Sequence, residues 1–132
     1  MPTSRQLISS GSPWEPIVGY SRAVRIGNLI EIAGTTAMDG DKVVGRDNLY
    51  EQTRFILQKI AAILNEAGAS LTDVVRTRMY VTDISQWEEA GRAHGEFFKD
   101  IRPAASMVEV SALISPDLLI EIEVTAVVSP FG

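Results

Sequence analysis

The stretch Leu118-Leu119-Ile120-Glu121-Ile122-Glu123-Val124-Thr125-Ala126-Val127-Val128 alternates side chains with a period of two. Ile120, Ile122, Val124, Ala126 and Val128 make one face, apolar throughout, and Glu121, Glu123, Thr125 and Val127 make the other. Successive side chains on one face of a strand stand about 7 Å apart. The segment therefore predicts a strand over 118–128 with one face for a core and one acidic face. Upstream, across Ser115-Pro116-Asp117, a second strand over 104–113 is expected as its neighbour. Val108 and Val110 lie on one side of it, and Ala105, Met107, Glu109 and Ser111 are expected on the acidic side.

The apolar face needs helices to cover it, and two segments supply them. Leu49, Thr53, Ile56, Leu57, Ile60, Ile63, Leu64 and Ala67 recur at the spacing of one helical face. Asn48 stands as N-cap with Glu51 three residues on, and Gly68 follows the last turn, predicting a helix over about 48–67. A second helix, about 85–99, carries Trp87, Ala90, Gly91, His94, Phe97 and Phe98 on one stripe. Strands 23–26 and 29–35 flank the turn dipeptide Gly27-Asn28, Asp39-Gly40 predicts a turn before Val43-Val44, and 74–81 is rich in β-branched residues. The sum is an α+β sandwich, two helices on one face of a mixed, mostly antiparallel sheet. Acids and a methionine on the helix-free face read either as a subunit interface or ligand cleft, or as a solvated sheet face.

Composition narrows the function classes. The chain has 132 residues, 45% of them hydrophobic and 22% charged, which predicts one globular domain over 1–132. Twelve Lys and Arg against 17 Asp and Glu give a net charge of −5 with no basic run, so no nucleic-acid partner is expected. With no cysteine, disulfides, thiolate nucleophiles and Cys-ligated metals are excluded. The longest apolar run is Ile60-Ala61-Ala62-Ile63-Leu64, far below the roughly 20 residues of a membrane span. Met1-Pro2-Thr3-Ser4-Arg5 leads into no apolar h-region, so a cytoplasmic location and no membrane partner are expected. One histidine, His94, leaves no room for a histidine-rich metal site, and no glycine-rich phosphate loop occurs. Neither a metal nor an organic cofactor is expected.

Several segments together carry a resemblance. They are Tyr20-Ser21-Arg22-Ala23-Val24-Arg25-Ile26-Gly27-Asn28, Ala33-Gly34-Thr35, Asn65-Glu66-Ala67-Gly68-Ala69 with Asp73-Val74-Val75, and Val81-Thr82-Asp83-Ile84. Phe97-Phe98, Arg102-Pro103-Ala104-Ala105-Ser106-Met107-Val108-Glu109-Val110 and Ile120-Glu121-Ile122-Glu123-Val124 complete the set. In this order and spacing, over about residues 17–128, the chain resembles the RidA family, also called YjgF or endoribonuclease L-PSP. The resemblance implies a chorismate-mutase-like fold and a homotrimer whose sheets form a central barrel, with small-molecule clefts between subunits. It implies hydrolysis of reactive enamines or imines to oxo acids and ammonia. By position, Tyr20 and Gly34 would line the cleft, and Glu121 would be the catalytic residue that orients a water.

The departures from the family pattern set the remaining expectations. Where deaminating members read Pro-Ala-Arg-Ser, this chain reads Pro103-Ala104-Ala105-Ser106, so the carboxylate-clamping arginine is Ala105. Met107 stands where a cysteine is common, and Gly91 where some members have a pocket asparagine. Arg22, Arg25 and Arg102 are the cations to consider in place of the lost clamp. These substitutions point away from simple 2-imino acids as substrates, and toward either another enamine or imine metabolite or a non-catalytic metabolite-binding or chaperone-like trimer. An endoribonuclease, the activity in the family's other name, is the least favoured reading, given the acidic charge, the single histidine and no basic stripe. His94 is either a packed histidine or a pocket residue, and Gly34 either allows close approach in the cleft or makes a bend.

Overall fold

A computed structural model describes residues 4–129. Met1, Pro2 and Thr3, on which part of the leader reading rests, lie outside them. The chain opens with β1 (Arg5–Ile8) and the short α1 (Trp14–Val18), then runs through β2 (Ala23–Ile26), β3 (Leu29–Thr35), β4 (Met38–Asp39) and β5 (Lys42–Val43). The long α2 (Leu49–Glu66) follows, then β6 (Val74–Val81), α3 (Trp87–Phe98), β7 (Ala104–Glu109) and β8 (Ile120–Val127).

Six strands form one sheet in the order β1-β2-β3-β8-β6-β7, while β4 and β5 make a separate hairpin. Every neighbouring pair in the large sheet is antiparallel except β6 and β7. That one parallel pair follows from α3, which carries the chain back over the sheet between them. The mixed, mostly antiparallel architecture therefore holds. The pairing of the last two strands does not, since β6 lies between β7 and β8.

β8 keeps its predicted faces. Ile120, Ile122, Val124 and Ala126 are buried, packed with Ile56, Leu57, Ile60 and Leu64 of α2 in the core. Asn48 caps α2 as expected, accepting the Glu51 amide at 3.0 Å. Gln52 also lies fully buried on this helix. Its Nε2 donates to the Asp117 carbonyl at 2.9 Å and to the Gly45 carbonyl at 3.2 Å, and its Oε1 accepts the Leu119 amide at 2.8 Å. One side chain thus pins the approach to β8 onto α2. The stripe of α3 is narrower than predicted: Ala90, Ala93 and Phe98 are buried, while Trp87 is exposed.

One face assignment is corrected. β7 pairs in parallel register with β6, Thr77 opposite Ala105 and Met79 opposite Met107. Partners in a parallel pair point to the same side, and Thr77 and Met79 are buried under the helices. Ala105 and Met107 therefore face the helix layer, and Ser106 and Val108 stand on the helix-free face, where Arg76 Nη2 donates to Ser106 Oγ at 2.7 Å. Both sides of this edge strand bear small or apolar residues, so alternation alone does not say which side meets the core.

Candidate functional site

The helix-free face is built from alternate residues of β3, β8 and β6. Glu31 stands opposite Thr125, Glu123 opposite Arg78 and Glu121 opposite Tyr80. Two diagonal hydrogen bonds and one between opposed residues knit them together. Tyr80 donates to Glu123 Oε1 at 2.7 Å, Arg78 donates to Thr125 Oγ1 at 3.4 Å, and Thr125 Oγ1 donates to Glu31. Tyr20, Ser21, Val24, Glu31, Ile32, Ala33, Arg78 and Glu123 line an open depression of about 470 Å³ on this face.

Beside it three of the sequence-selected residues come together. The ladder between β3 and β8 shifts register between Ile32 and Thr35. Gly34 sits in that irregularity, and its φ lies outside the left-handed region. Its requirement is space: a Cβ there would lie 2.8 Å from Cδ of Glu121 and 3.2 Å from its Cγ. The Glu121 carboxyl group therefore rests on bare backbone. The register shift supplies the bend as well, so both readings of Gly34 describe one feature.

Arg22 completes the group. Its Nη2 donates to the Gly34 carbonyl at 2.6 Å, and its guanidinium carbon lies 5.8 Å from the Tyr20 ring centre. The other two cations considered are committed elsewhere. Arg25 donates to the Ala67 and Gly27 carbonyls, holding the end of α2, and Arg102 donates to the Lys99 carbonyl in the turn before β7. Lys59 reaches the same region from α2, donating to the carbonyls of Thr36 and Met38. Burial, and then the charge of Arg22, hold its ammonium below the usual lysine range.

Glu121 accepts no hydrogen bond among the described residues. Burial, reinforced by the charge of Glu123 and opposed by Arg22, pushes its carboxyl above the ordinary value of 4.5. Tyr80 is raised as well, chiefly because its proton is held by Glu123. A half-buried carboxylate with free lone pairs, a nearby guanidinium and a phenol at the rim can exchange a proton with a small polar ligand.

The other sequence-selected residues stand apart. Ala105 and Met107 lie on the opposite sheet face at the β7 edge. Gly91 is on α3 beside the Trp87 ring. His94, on the same helix, shares a 2.9 Å hydrogen bond with Thr77 and stacks at 4.7 Å on Phe98, so it is packed structure behind Ala105. Burial holds its imidazole below the usual value of 6.5. Arg78 and Tyr80 were open to discovery in the sequence, since Arg76, Arg78 and Tyr80 alternate with Thr77, Met79 and Val81. Among the described residues no three His, Cys, Asp or Glu side chains converge as metal ligands, and no helix is long and apolar enough to cross a membrane.

A family model described as Endoribonuclease L-PSP matches residues 11–128. The chain belongs to the endoribonuclease L-PSP family. This L-PSP family member is 38% identical over 126 residues to a RutC family protein of Pyrococcus abyssi, covering 93% of this chain and 97% of that one. It is 32% identical to a protein of Acinetobacter baylyi named 3-aminoacrylate deaminase RutC, covering 88% of this chain and 91% of the relative. Its fold matches the crystal structure of a YjgF/YER057c/UK114 family member from Mycobacterium tuberculosis with a TM-score of 0.85 and 56% identity, covering 95% of this chain and all of that one. The α+β architecture predicted from the sequence is thus that of the YjgF family.

Proposed function

We propose that this protein is a hydrolytic deaminase of a small enamine or imine, working as a homotrimer in the cytoplasm. The observation that supports this most directly is the Glu121 carboxyl group: half-buried, raised in pKa, free of hydrogen bonds among the described residues and seated on Gly34. In the proposed reaction the enamine tautomerises to its imine, and Glu121 takes a proton from a water as the oxygen attacks the imine carbon. Glu121 returns that proton to nitrogen to give the carbinolamine, then takes the hydroxyl proton and passes it to the amine as the C–N bond breaks, so that ammonia leaves an oxo compound behind. Tyr20 hydrogen-bonds the ligand at the rim.

The relative named a 3-aminoacrylate deaminase supports an enamine carrying a carboxylate on the carbon next to the reacting pair. Ala105 in place of the family arginine counts against simple 2-imino acids. The homotrimer belongs to the proposal because Ala105 and Met107 stand on the sheet face opposite Glu121 in one copy. They can meet it only from a second copy, across a cleft in which Gly91 would also take part.

The test is ammonia release from 2-aminoacrylate and 3-aminoacrylate generated in situ, for wild type, Glu121→Gln and Ala105→Arg. Turnover of an enamine that Glu121→Gln abolishes supports the proposal, and an equally active Glu121→Gln overturns the role of Glu121. Ala105→Arg is expected to raise turnover of 2-aminoacrylate. The missing arginine also favours a second reading, a trimer that binds a metabolite without converting it. Saturable binding of an enamine analogue with no turnover of any enamine would select it.

A further inference from the structure

Arg25 is tied to the chain through two of its nitrogens: its Nε donates to Gly27 at 2.9 Å and its Nη1 to Ala67 at 2.6 Å. Arg22 differs. Among the described residues only its Nη2 has an acceptor, the Gly34 carbonyl. Its Nε is buried with no partner, and its Nη1 makes no hydrogen bond among the described residues. The guanidinium is nevertheless held in place, by the Gly34 carbonyl and beside Tyr20. It stands near Glu121 without pairing with it.

A positive, planar group that is oriented but under-bonded beside Tyr20 and near Glu121 is suited to a planar anion, because carboxylates accept two parallel N–H bonds from a guanidinium. The other cations considered are engaged elsewhere. Arg25 and Lys59 donate to backbone carbonyls, and Arg102 belongs to the turn after α3. Arg78 is tied to Thr125 and stands opposite Glu123, whose charge offsets its own.

We infer that Arg22 is the carboxylate-recognising residue of this site, taking from the residue just before β2 the task that the family assigns to the position now held by Ala105. This rests on the proposed site and names its ligand class: a small molecule with a carboxylate one or two carbons from the reacting centre. Held by Arg22 at the entry to β2, the anion lies on the same side as Gly34 and Glu121. The selected substrates therefore differ in the spacing of carboxylate and amine from those a β7 arginine would hold.

The experiment uses inert probes so that binding is separated from turnover. Propionate and propionamide are titrated against the full chain by calorimetry, alongside Arg22→Gln, Arg22→Lys and Glu121→Gln. Wild type is expected to bind propionate and not propionamide. Arg22→Gln should weaken propionate about tenfold or more, the worth of a charge-assisted hydrogen bond, and Arg22→Lys should recover part of the loss. Equal binding of the acid and the amide by wild type, or an unchanged affinity in Arg22→Gln, overturns the inference. Should Arg22→Gln fail to fold, the Arg22 Nε–H resonance of the wild-type chain decides: it moves on adding propionate, or the inference falls. Wild type that binds propionate through Arg22 yet turns over no enamine would instead sink the deaminase reading and leave the anion site standing.

Discussion

Gly34→Ala isolates the contact on which the proposed chemistry depends. The added Cβ would lie 2.8 Å from Glu121 Cδ, against the roughly 3.4 Å at which ordinary contact begins. Cδ must therefore withdraw by about 0.6 Å, and the oxygen that overhangs Gly34 by about 1 Å. A displacement of about 1 Å at a reacting group costs on the order of 100-fold in rate. Stability should respond little. The obstructing atoms are the far end of a flexible side chain, and Gly34 has a backbone conformation open to alanine. Restricting the unfolded chain even returns about 0.4–1 kcal/mol. We expect kcat/KM for the preferred enamine to fall about 100-fold while Tm stays within about 4 °C of wild type. Ammonia release coupled to glutamate dehydrogenase, read beside a thermal melt, measures both. A Gly34→Ala variant with wild-type kcat/KM, where Glu121→Gln is inactive, would refute the idea that bare backbone sets the position of the carboxylate.

Glu121→Gln should raise Tm at pH 7: a carboxyl with a raised pKa loses folding stability as pH climbs from its unfolded value of 4.5 through the folded one, so the gain over wild type vanishes in melts below pH 4.5. His94 has the opposite sign of linkage. Its lowered pKa means that the unfolded chain binds the proton first, so stability should fall as pH drops below 6.5, by at most about 1.4 kcal/mol per pH unit. Urea titrations of wild type and His94→Gln at pH 7.5 and 5.5 should show a smaller decrease for the variant. Gln52→Leu strands the Leu119 amide and the Asp117 carbonyl and should cost about 1–3 kcal/mol in urea unfolding. Ile122→Ala opens a cavity at the centre of the core and should cost about 2–5 kcal/mol by the same measurement.

The elements that were legible in the sequence are those whose stability is local. α2 has its periodicity and its Asn48 cap, β8 its strict alternation, and the β2–β3 hairpin its Gly27-Asn28 turn. β1 and α1 escaped notice because neither has a pattern of its own. Arg5-Gln6-Leu7-Ile8 is a strand because β2 pairs with it, and Trp14–Val18 carries mostly exposed side chains. What anchors the segment before α1 is the Glu15 carboxylate, which accepts the Ser10 amide at 3.0 Å, a contact that no periodicity announces. In the site, Tyr20, Gly34 and Glu121 were each selected, and the structure places them with Arg22. Their linkage through the Gly34 carbonyl depends on the register shift in β3, which has no sequence signal. Ala105 and Met107 went to the wrong face because β7 is an edge strand, where burial is too slight to mark its two sides.

The position of β8 has a consequence for how the chain comes to be folded. It follows every other strand of the described residues, yet it forms the middle of the sheet, joining β3 to β6. While a ribosome is still making it, β1-β2-β3 and β6-β7 are two separate ribbons, each ending in an open row of amide and carbonyl groups. The apolar face of α2 has no central strand to cover. Vectorial folding during synthesis is thus denied to the sheet, whose assembly waits for the last strand and then closes both halves in one step. The glutamate proposed to do the chemistry rides on that same strand, so the catalytic group is delivered by the event that completes the fold.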